Sequence, residues 1–180
     1  MNYVEPIRDR KKLKLMKKLL KKQSRRDHFL FVFGTNTGLR ISDILPLKVS
    51  DVRGKSHLLI KEKKTDKRKK FRLNEKLQKQ ILSYTKGMDA EEFLFSSSKR
   101  PRPISRVRAY QIINGAARKI GLHEIGTHTL RKTFGYHFYQ KTKDVATLQM
   151  IFNHSHPSIT LRYIGINQDL MDEAVDQFSL

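Results

Sequence analysis

Three arginines, three histidines, a lysine and a tyrosine stand in four short stretches whose residue types suit chemistry on a phosphodiester. The stretches are Thr37-Gly38-Leu39-Arg40, the Lys64-Thr65 pair, His128-Thr129-Leu130-Arg131, and the run NHSHPSITLRYIG from Asn153 to Gly165. Guanidinium groups such as those of Arg40 and Arg131 can grip non-bridging phosphate oxygens through forked hydrogen bonds. They also offset the charge that builds in a pentacoordinate transition state. Histidines donate to the same oxygens and move protons near neutral pH. A lysine can protonate a departing alkoxide oxygen. A tyrosine can attack phosphorus when nearby cations ease ionisation of its phenol, whose unperturbed pKa is about 10. His128 and Arg131 lie one helical turn apart and so face one target. Each stretch alone is weak, because a His-x-x-Arg pair is also ordinary on a solvated helix face.

The composition narrows the target. Among 180 residues, 38 Lys and Arg stand against 17 Asp and Glu, a net charge of +21. Such a surplus imposes self-repulsion on a fold and points to a polyanionic partner, with nucleic acid ahead of a membrane surface or an RNA scaffold. The absence of cysteine excludes disulfides, thiolate catalysis and Cys-ligated zinc. His128, His154 and His156 have no matching carboxylate or cysteine set, and no phosphate-binding glycine loop occurs, so neither metal nor cofactor is expected. No apolar run approaches the ~20 residues of a spanning helix, and the N-terminus lacks a secretion signal. The expectation is a cytoplasmic, DNA-associated protein with no membrane partner.

The elements that must position these groups are mostly helical. A basic amphipathic helix is expected over residues 8–26, with Leu13, Met16, Leu19 and Leu20 on its apolar side. Its basic face reads equally as a solvated surface or a DNA contact. His28–Phe33 reads as a buried helical stretch, Gly38 as a change of direction, and Ile41–Leu45 as a short helix closed by Pro46. Strands are expected at His57–Ile60 and Phe71–Leu73, joined by the charged KEKKTDKRKK with a turn at Asp66. Helices follow over Glu75–Lys86, from a Ser105 cap to Lys119, from a Thr127 cap to Lys141, and from an Asp144 cap to Phe152. A last helix spans Asn167–Phe178, with Leu170, Ala174, Val175 and Phe178 on one side. Phe29, Phe31, Phe33, Phe134 and Phe138 are expected in the core. Tyr3, Tyr84, Tyr110, Tyr136 and Tyr139 are expected to pack.

In this order and spacing, the four stretches resemble the tyrosine site-specific recombinases of the phage integrase family, over about Phe29 to Gly165. The resemblance implies that Arg40, in TGLRISDIL, is the first catalytic arginine and that Asp43 supports the site. It makes Lys64 the hairpin lysine that acts as general acid, with Lys63 and Lys67 as the other choices. His128 and Arg131 match the family's His-x-x-Arg pair, His154 the position held by His or Trp, and Tyr163 the nucleophile. Lys61, Lys63, Lys67, Arg68, Lys69 and Lys70 of the hairpin are expected DNA contacts. So is Arg162, with a solvated helix position as its alternative, and His156 is a loop residue or a further DNA contact.

The implied fold is mostly α with a small antiparallel sheet, the catalytic fold of DNA breaking-rejoining enzymes. The implied activity is metal- and ATP-independent strand transfer on double-stranded DNA through a 3′-phosphotyrosine, for integration, excision or inversion. The partner state is a homo-tetramer on DNA and a monomer when free. The chain divides into a basic N-terminal segment and helix (1–26), a catalytic core (27–163) and a C-terminal helix (164–180) that is exchanged between protomers or folds back in cis. It departs from typical members in lacking an N-terminal core-binding domain, since only residues 1–39 precede Arg40. That suits either a shortened chain or the small single-domain members such as the fimbrial-switch invertases. The competing readings are a nicking-closing topoisomerase activity, a catalytically inactive DNA-binding regulator descended from a recombinase, and a basic RNA-binding scaffold.

Overall fold

The computed structural model describes residues 4–61, 68–98 and 101–178. Helix α1 (Arg10–Gln23) starts at Asp9, whose carboxylate accepts from the Lys11 N–H at 2.6 Å. The basic stretch does not continue as one helix to residue 26. Ser24 is extended and ends α1, and its hydroxyl caps α2 (Arg25–Thr37) by accepting from the Arg26 N–H at 3.1 Å. Met16 and Leu20 of α1 pack against α2, whose Phe29, Leu30, Phe31, Val32 and Phe33 are all buried.

Gly38 ends α2 in the left-handed region at φ 63°, and the Phe134 ring occupies the space a Cβ would need there. The short helices α3 (Ile41–Ile44) and α4 (Val49–Val52) follow. No sequence signal announced α4. Its four residues bury Val49 and Val52, and the Asp51 carboxylate accepts from the Lys48 N–H at 2.7 Å.

Strands β1 (His57–Lys61) and β2 (Arg68–Arg72) pair antiparallel, with His57 opposite Arg72 and Lys61 opposite Arg68. They run further into the charged stretch than their apolar residues indicate. In a strand only alternate side chains need burial: Leu58 is enclosed while Leu59 is 73% exposed. The expected turn at Asp66 lies outside the described residues. Helix α5 (Glu75–Thr85) begins at an Asn74 cap. Helix α6 (Arg106–Arg118) begins at Ser105, whose hydroxyl accepts from the Arg108 N–H at 3.1 Å.

Helix α7 (Thr127–Thr142) is capped one residue earlier than its sequence suggests. Gly126 is the cap, and its N–H donates to the Thr129 hydroxyl at 3.1 Å. Helices α8 (Val145–Phe152), α9 (Pro157–Ile164) and α10 (Ile166–Asp176) complete the chain, with Asp144 capping α8 as expected. Among the described residues no helix is long and apolar enough to cross a membrane.

Two apolar clusters result. The larger joins α1 to α6 with Leu130 of α7. The smaller gathers Leu148, Phe152, Ile164 and Ile166, with half-buried Phe134, Phe138 and Tyr163 packed against it. Phe134 and Phe138 therefore differ from the fully enclosed Phe29, Phe31 and Phe33. They line an open hollow of about 510 Å³ with Phe71, Met150 and Ile151. Tyr110 is 44% exposed rather than packed, and Val175 and Phe178 on α10 are 70% and 69% exposed.

Helix α7 approaches α8 and α9 closely at Gly135, where an added Cβ would lie 2.7 Å from both Ile164 and Phe152. Gly135→Ala should therefore lower stability by about 1–3 kcal/mol through overpacking. Gly115→Ala, where nothing lies within 4 Å of the added carbon, should gain about 1 kcal/mol from helix propensity. Denaturant midpoints of the two variants check both signs.

Candidate active site

The junction between the two clusters is built on Arg131. Its residue is 3% exposed, one turn into α7 beyond His128. One terminal nitrogen donates to the Gly38 carbonyl at 2.6 Å and the other to the Phe152 carbonyl at 2.8 Å. Gly38 caps the end of α2 and Phe152 is the last residue of α8, so both acceptors sit at helix C-termini, where carbonyls carry partial negative charge. The guanidinium also lies 4.2 Å from the centre of the Phe152 ring.

Tyr163, on α9, is half-buried beside this guanidinium. Its ring meets the edges of Phe152 at 5.6 Å and His154 at 5.3 Å between centroids. Its hydroxyl is 3.4 Å from Nδ1 of His128. Burial pushes the phenol above its ordinary pKa, while the charges of Arg131 and Arg40 and a hydrogen bond from Arg131 pull it back down. The hydroxyl is thus neutral at rest and surrounded by groups that favour its anion. His154 is held by its Nδ1, 3.0 Å from the Thr160 hydroxyl.

Arg40 is half-buried at the cap of α3, and its charge acts on both Tyr163 and His128. Asp43 is buried in the same short helix, 3.5 Å from the Ser42 hydroxyl. Arg40, His128, Arg131, His154 and Tyr163 thus meet from the α3 cap, α7, the turn between α8 and α9, and α9, with Asp43 in the short helix that Arg40 caps. Lys64, Lys63 and Lys67 lie outside the described residues. Lys61, Arg68 and Lys69 are placed by backbone in the two strands, and Lys70 is exposed on β2. Arg162 and His156 are exposed, on α9 and at its cap.

Two cations at this site were not singled out in the sequence. Lys132 is 8% exposed, and its ammonium stands 5.4 Å from the centre of the Tyr163 ring. It follows His128 by four residues, a spacing that places both on one side of a helix and could have flagged it. Arg106, in the first turn of α6, adds its charge to His128. Among the described residues no group of acidic or histidine side chains is arranged to hold a metal ion.

A phenol, two guanidiniums and two imidazoles around one point, beside a basic hairpin, have the make-up that phosphoryl transfer to tyrosine requires. The sequence profile of the phage integrase family matches residues 7–169, and the chain belongs to that family. It is 54% identical over 178 residues to the probable integrase/recombinase YoeC of Bacillus subtilis (strain 168), covering 99% of this chain and 98% of that protein. It is 26% identical to the tyrosine recombinase XerA of Pyrococcus horikoshii, covering 86% of this chain and 55% of that one. Among solved structures, a crystal structure of XerA recombinase matches with TM-score 0.76 at 22% identity, over 98% of this chain and 65% of that chain. The XerH recombinase bound to palindromic difH substrate, a post-cleavage complex, matches with TM-score 0.73 at 21% identity over 98% and 54%. The chain therefore spans nearly all of YoeC but only about half to two-thirds of these Xer recombinases.

Loss of solvent around the ring lowers the His128 pKa from its ordinary 6.5, and Arg131, Arg106, Arg40 and Lys132 lower it further. His128 should then be neutral at pH 7 and gain its proton only as pH falls below 6.5. An NMR titration of the free protein should place its midpoint under that value, with Arg106→Gln moving it upward. A midpoint at or above the ordinary value would contradict the geometry.

Proposed function

We propose that the protein is a site-specific DNA strand transferase that cuts and rejoins double-stranded DNA through a 3′-phosphotyrosine at Tyr163. The observation that carries this reading is the meeting of the Tyr163 hydroxyl with His128 at 3.4 Å inside the field of Arg131 and Arg40. In the proposed step, the phenol oxygen attacks phosphorus as its proton passes to neutral His128. The bond from phosphorus to the 5′ oxygen breaks, and Lys64 supplies the proton that this oxygen takes up. Arg40, Arg131 and Nε2 of His154 hold the non-bridging oxygens, on which negative charge accumulates. A guanidinium has five N–H donors, so Arg131 can keep both carbonyls and still present an edge to the phosphate. Asp43 supports the α3 turn that aims Arg40. Rejoining is the reverse, with a 5′ hydroxyl attacking the phosphotyrosine and no outside energy source.

The hairpin cations Lys61, Lys63, Lys67, Arg68, Lys69 and Lys70, and Arg162 beside the nucleophile, are proposed to bind phosphates flanking the cut. On DNA the protein is proposed to assemble as a tetramer. Two features support a surface for a second copy. Met171, Val175 and Phe178 of the last helix are exposed among Asp172, Glu173 and Asp176. The hollow lined by Phe71, Phe134, Phe138 and Met150 is flanked by Lys70 and Arg72, which complement those acids. Residues 1–26, 27–163 and 164–180 then serve as basic N-terminal segment, catalytic core and C-terminal helix, whose exposed end beyond Asp169 reaches the second copy, and no observation favours the inactive-regulator reading.

A nicked suicide duplex tests the chemistry. Wild-type protein should accumulate a covalent DNA adduct that resists chelators and is absent with Tyr163→Phe. Arg40→Ala should lower single-turnover cleavage by about a hundredfold or more while binding falls far less, as expected for a group assigned to the transition state. Arg131→Ala is the less clean variant, because it also strips two buried carbonyls of their donor and should lower the thermal midpoint.

A further inference from the structure

Residues 4–8, ahead of α1, form an extended strap across the back of α7. The Glu5 N–H donates to the Glu124 carbonyl at 2.8 Å. The Ile7 N–H donates to the buried Thr133 hydroxyl at 2.9 Å, and Nε2 of His137 lies 2.9 Å from the Ile7 carbonyl. Ile7 itself is 2% exposed. Two contacts to one side of α7 and one to the turn before it therefore fix the position of the next residue, Arg8.

Arg8 reaches from the strap to the chain just past Tyr163. One terminal nitrogen donates to Asp169 in the first turn of α10. The other donates to the Gly165 carbonyl at 3.2 Å and stands 3.5 Å from Glu5. The guanidinium also lies 5.2 Å from the centre of the Tyr136 ring. Gly165 closes α9 at φ 80°, and a Cβ there would lie 2.7 Å from the Arg8 nitrogen, so the contact needs glycine as well as arginine. A cation at the end of α9 also meets the negative end of that helix.

The strap touches the site from a second direction. Lys132, buried below the Tyr163 ring, is lowered in pKa by burial, with Glu5 opposing the shift and Arg8 adding to it. The ring of the nucleophile and the end of its helix are thus both supported by elements that lean on residues 5–8.

We propose that Arg8 is a positioning residue for strand cleavage, pinning the Gly165 carbonyl and the first turn of α10 so that α9 presents Tyr163 to the scissile phosphate. It touches neither DNA nor the reacting atoms. The inference rests on Tyr163 being the nucleophile. It is compatible with exchange of the tail, because the pinned residues are at the start of α10 and the exposed Met171, Val175 and Phe178 lie beyond them.

The test uses the full chain and a pool of nicked duplexes randomised on both sides of the nick. Adduct formation is timed at saturating protein, affinity is read by fluorescence anisotropy, and the thermal midpoint is recorded for each variant. Arg8→Gln should slow adduct formation about tenfold with affinity changed less than about twofold, a split that general loosening of the fold would not produce. Arg8→Lys should recover part of the rate, since it keeps the charge toward Asp169 but cannot fork. Asp169→Asn should slow the step to a smaller extent. The double variant Arg8→Gln with Asp169→Asn should be no slower than Arg8→Gln alone, because both remove one contact. Should Arg8→Gln fail to fold, Arg8→Lys and Asp169→Asn carry the same test. Unchanged rates in the folded variants, or a rate loss matched by an equal loss of affinity, overturn the proposal. A wild type that forms no adduct overturns the Tyr163 reading and this one with it, whereas an active wild type equalled by the variants overturns this one alone.

Discussion

A buried guanidinium is the constraint around which this structure is arranged. Arg131 sits where the two apolar clusters meet, and moving a charge out of water costs several kcal/mol unless the surroundings replace its solvation. Here the replacement comes from the ends of two helices. The carbonyls of Gly38 and Phe152 both accept from it, and each closes a helix whose dipole places negative charge at that end. The guanidinium therefore fixes the relative placement of α2, α7 and α8, and Gly38 must be glycine for its carbonyl to turn toward it. Structure and chemistry converge on one side chain.

In the proposed mechanism, that arrangement readies the site before DNA arrives. Preorganised cations lower a barrier because they need not move as charge develops. Arg131 is locked by its carbonyls, His154 by Thr160, and Tyr163 by Phe152 and His154. Loss of solvent, and then the nearby cations, lower the His128 pKa and favour its neutral form, the state the proposed proton acceptor needs. Burial favours the protonated phenol, and the proposed step has the bound phosphate and its neighbours shift that balance. The net charge of +21 supplies long-range attraction toward DNA.

Much of this was legible in the sequence where the cause is local. Ser105 and Asp144 announce their helices because a capping hydroxyl or carboxylate satisfies N–H groups only two or three residues away. Gly38 announces a reversal because few other residues adopt a positive φ. The apolar runs announce β1 and β2, though the strands extend past them into the charged stretch and the sequence does not show that Leu58 is enclosed while Leu59 is exposed. What was not legible is tertiary. The break at Ser24 is set by packing of α1 on α2, while the basic pattern alone runs on to residue 26. Helix α4 is too short to show a period. The cap at Gly126 displaces Thr127 because the Thr129 hydroxyl turns back onto its N–H. Lys132 reads as one more surface lysine until its burial beneath Tyr163 is known, and Arg8 meets Gly165 across a separation no local pattern encodes. The apolar side of α10, expected either on a partner protomer or folded back in cis, shows Val175 and Phe178 exposed in this single chain.

The most direct test is a crystal structure of the protein on cleaved duplex with orthovanadate in place of the scissile phosphate. The account predicts vanadium bonded between the Tyr163 hydroxyl oxygen and the 5′ oxygen, with Arg40, Arg131 and His154 donating to its equatorial oxygens. It also predicts that Arg131 keeps the carbonyls of Gly38 and Phe152. Vanadate bound elsewhere, or bound at Tyr163 with neither guanidinium touching it, would contradict it.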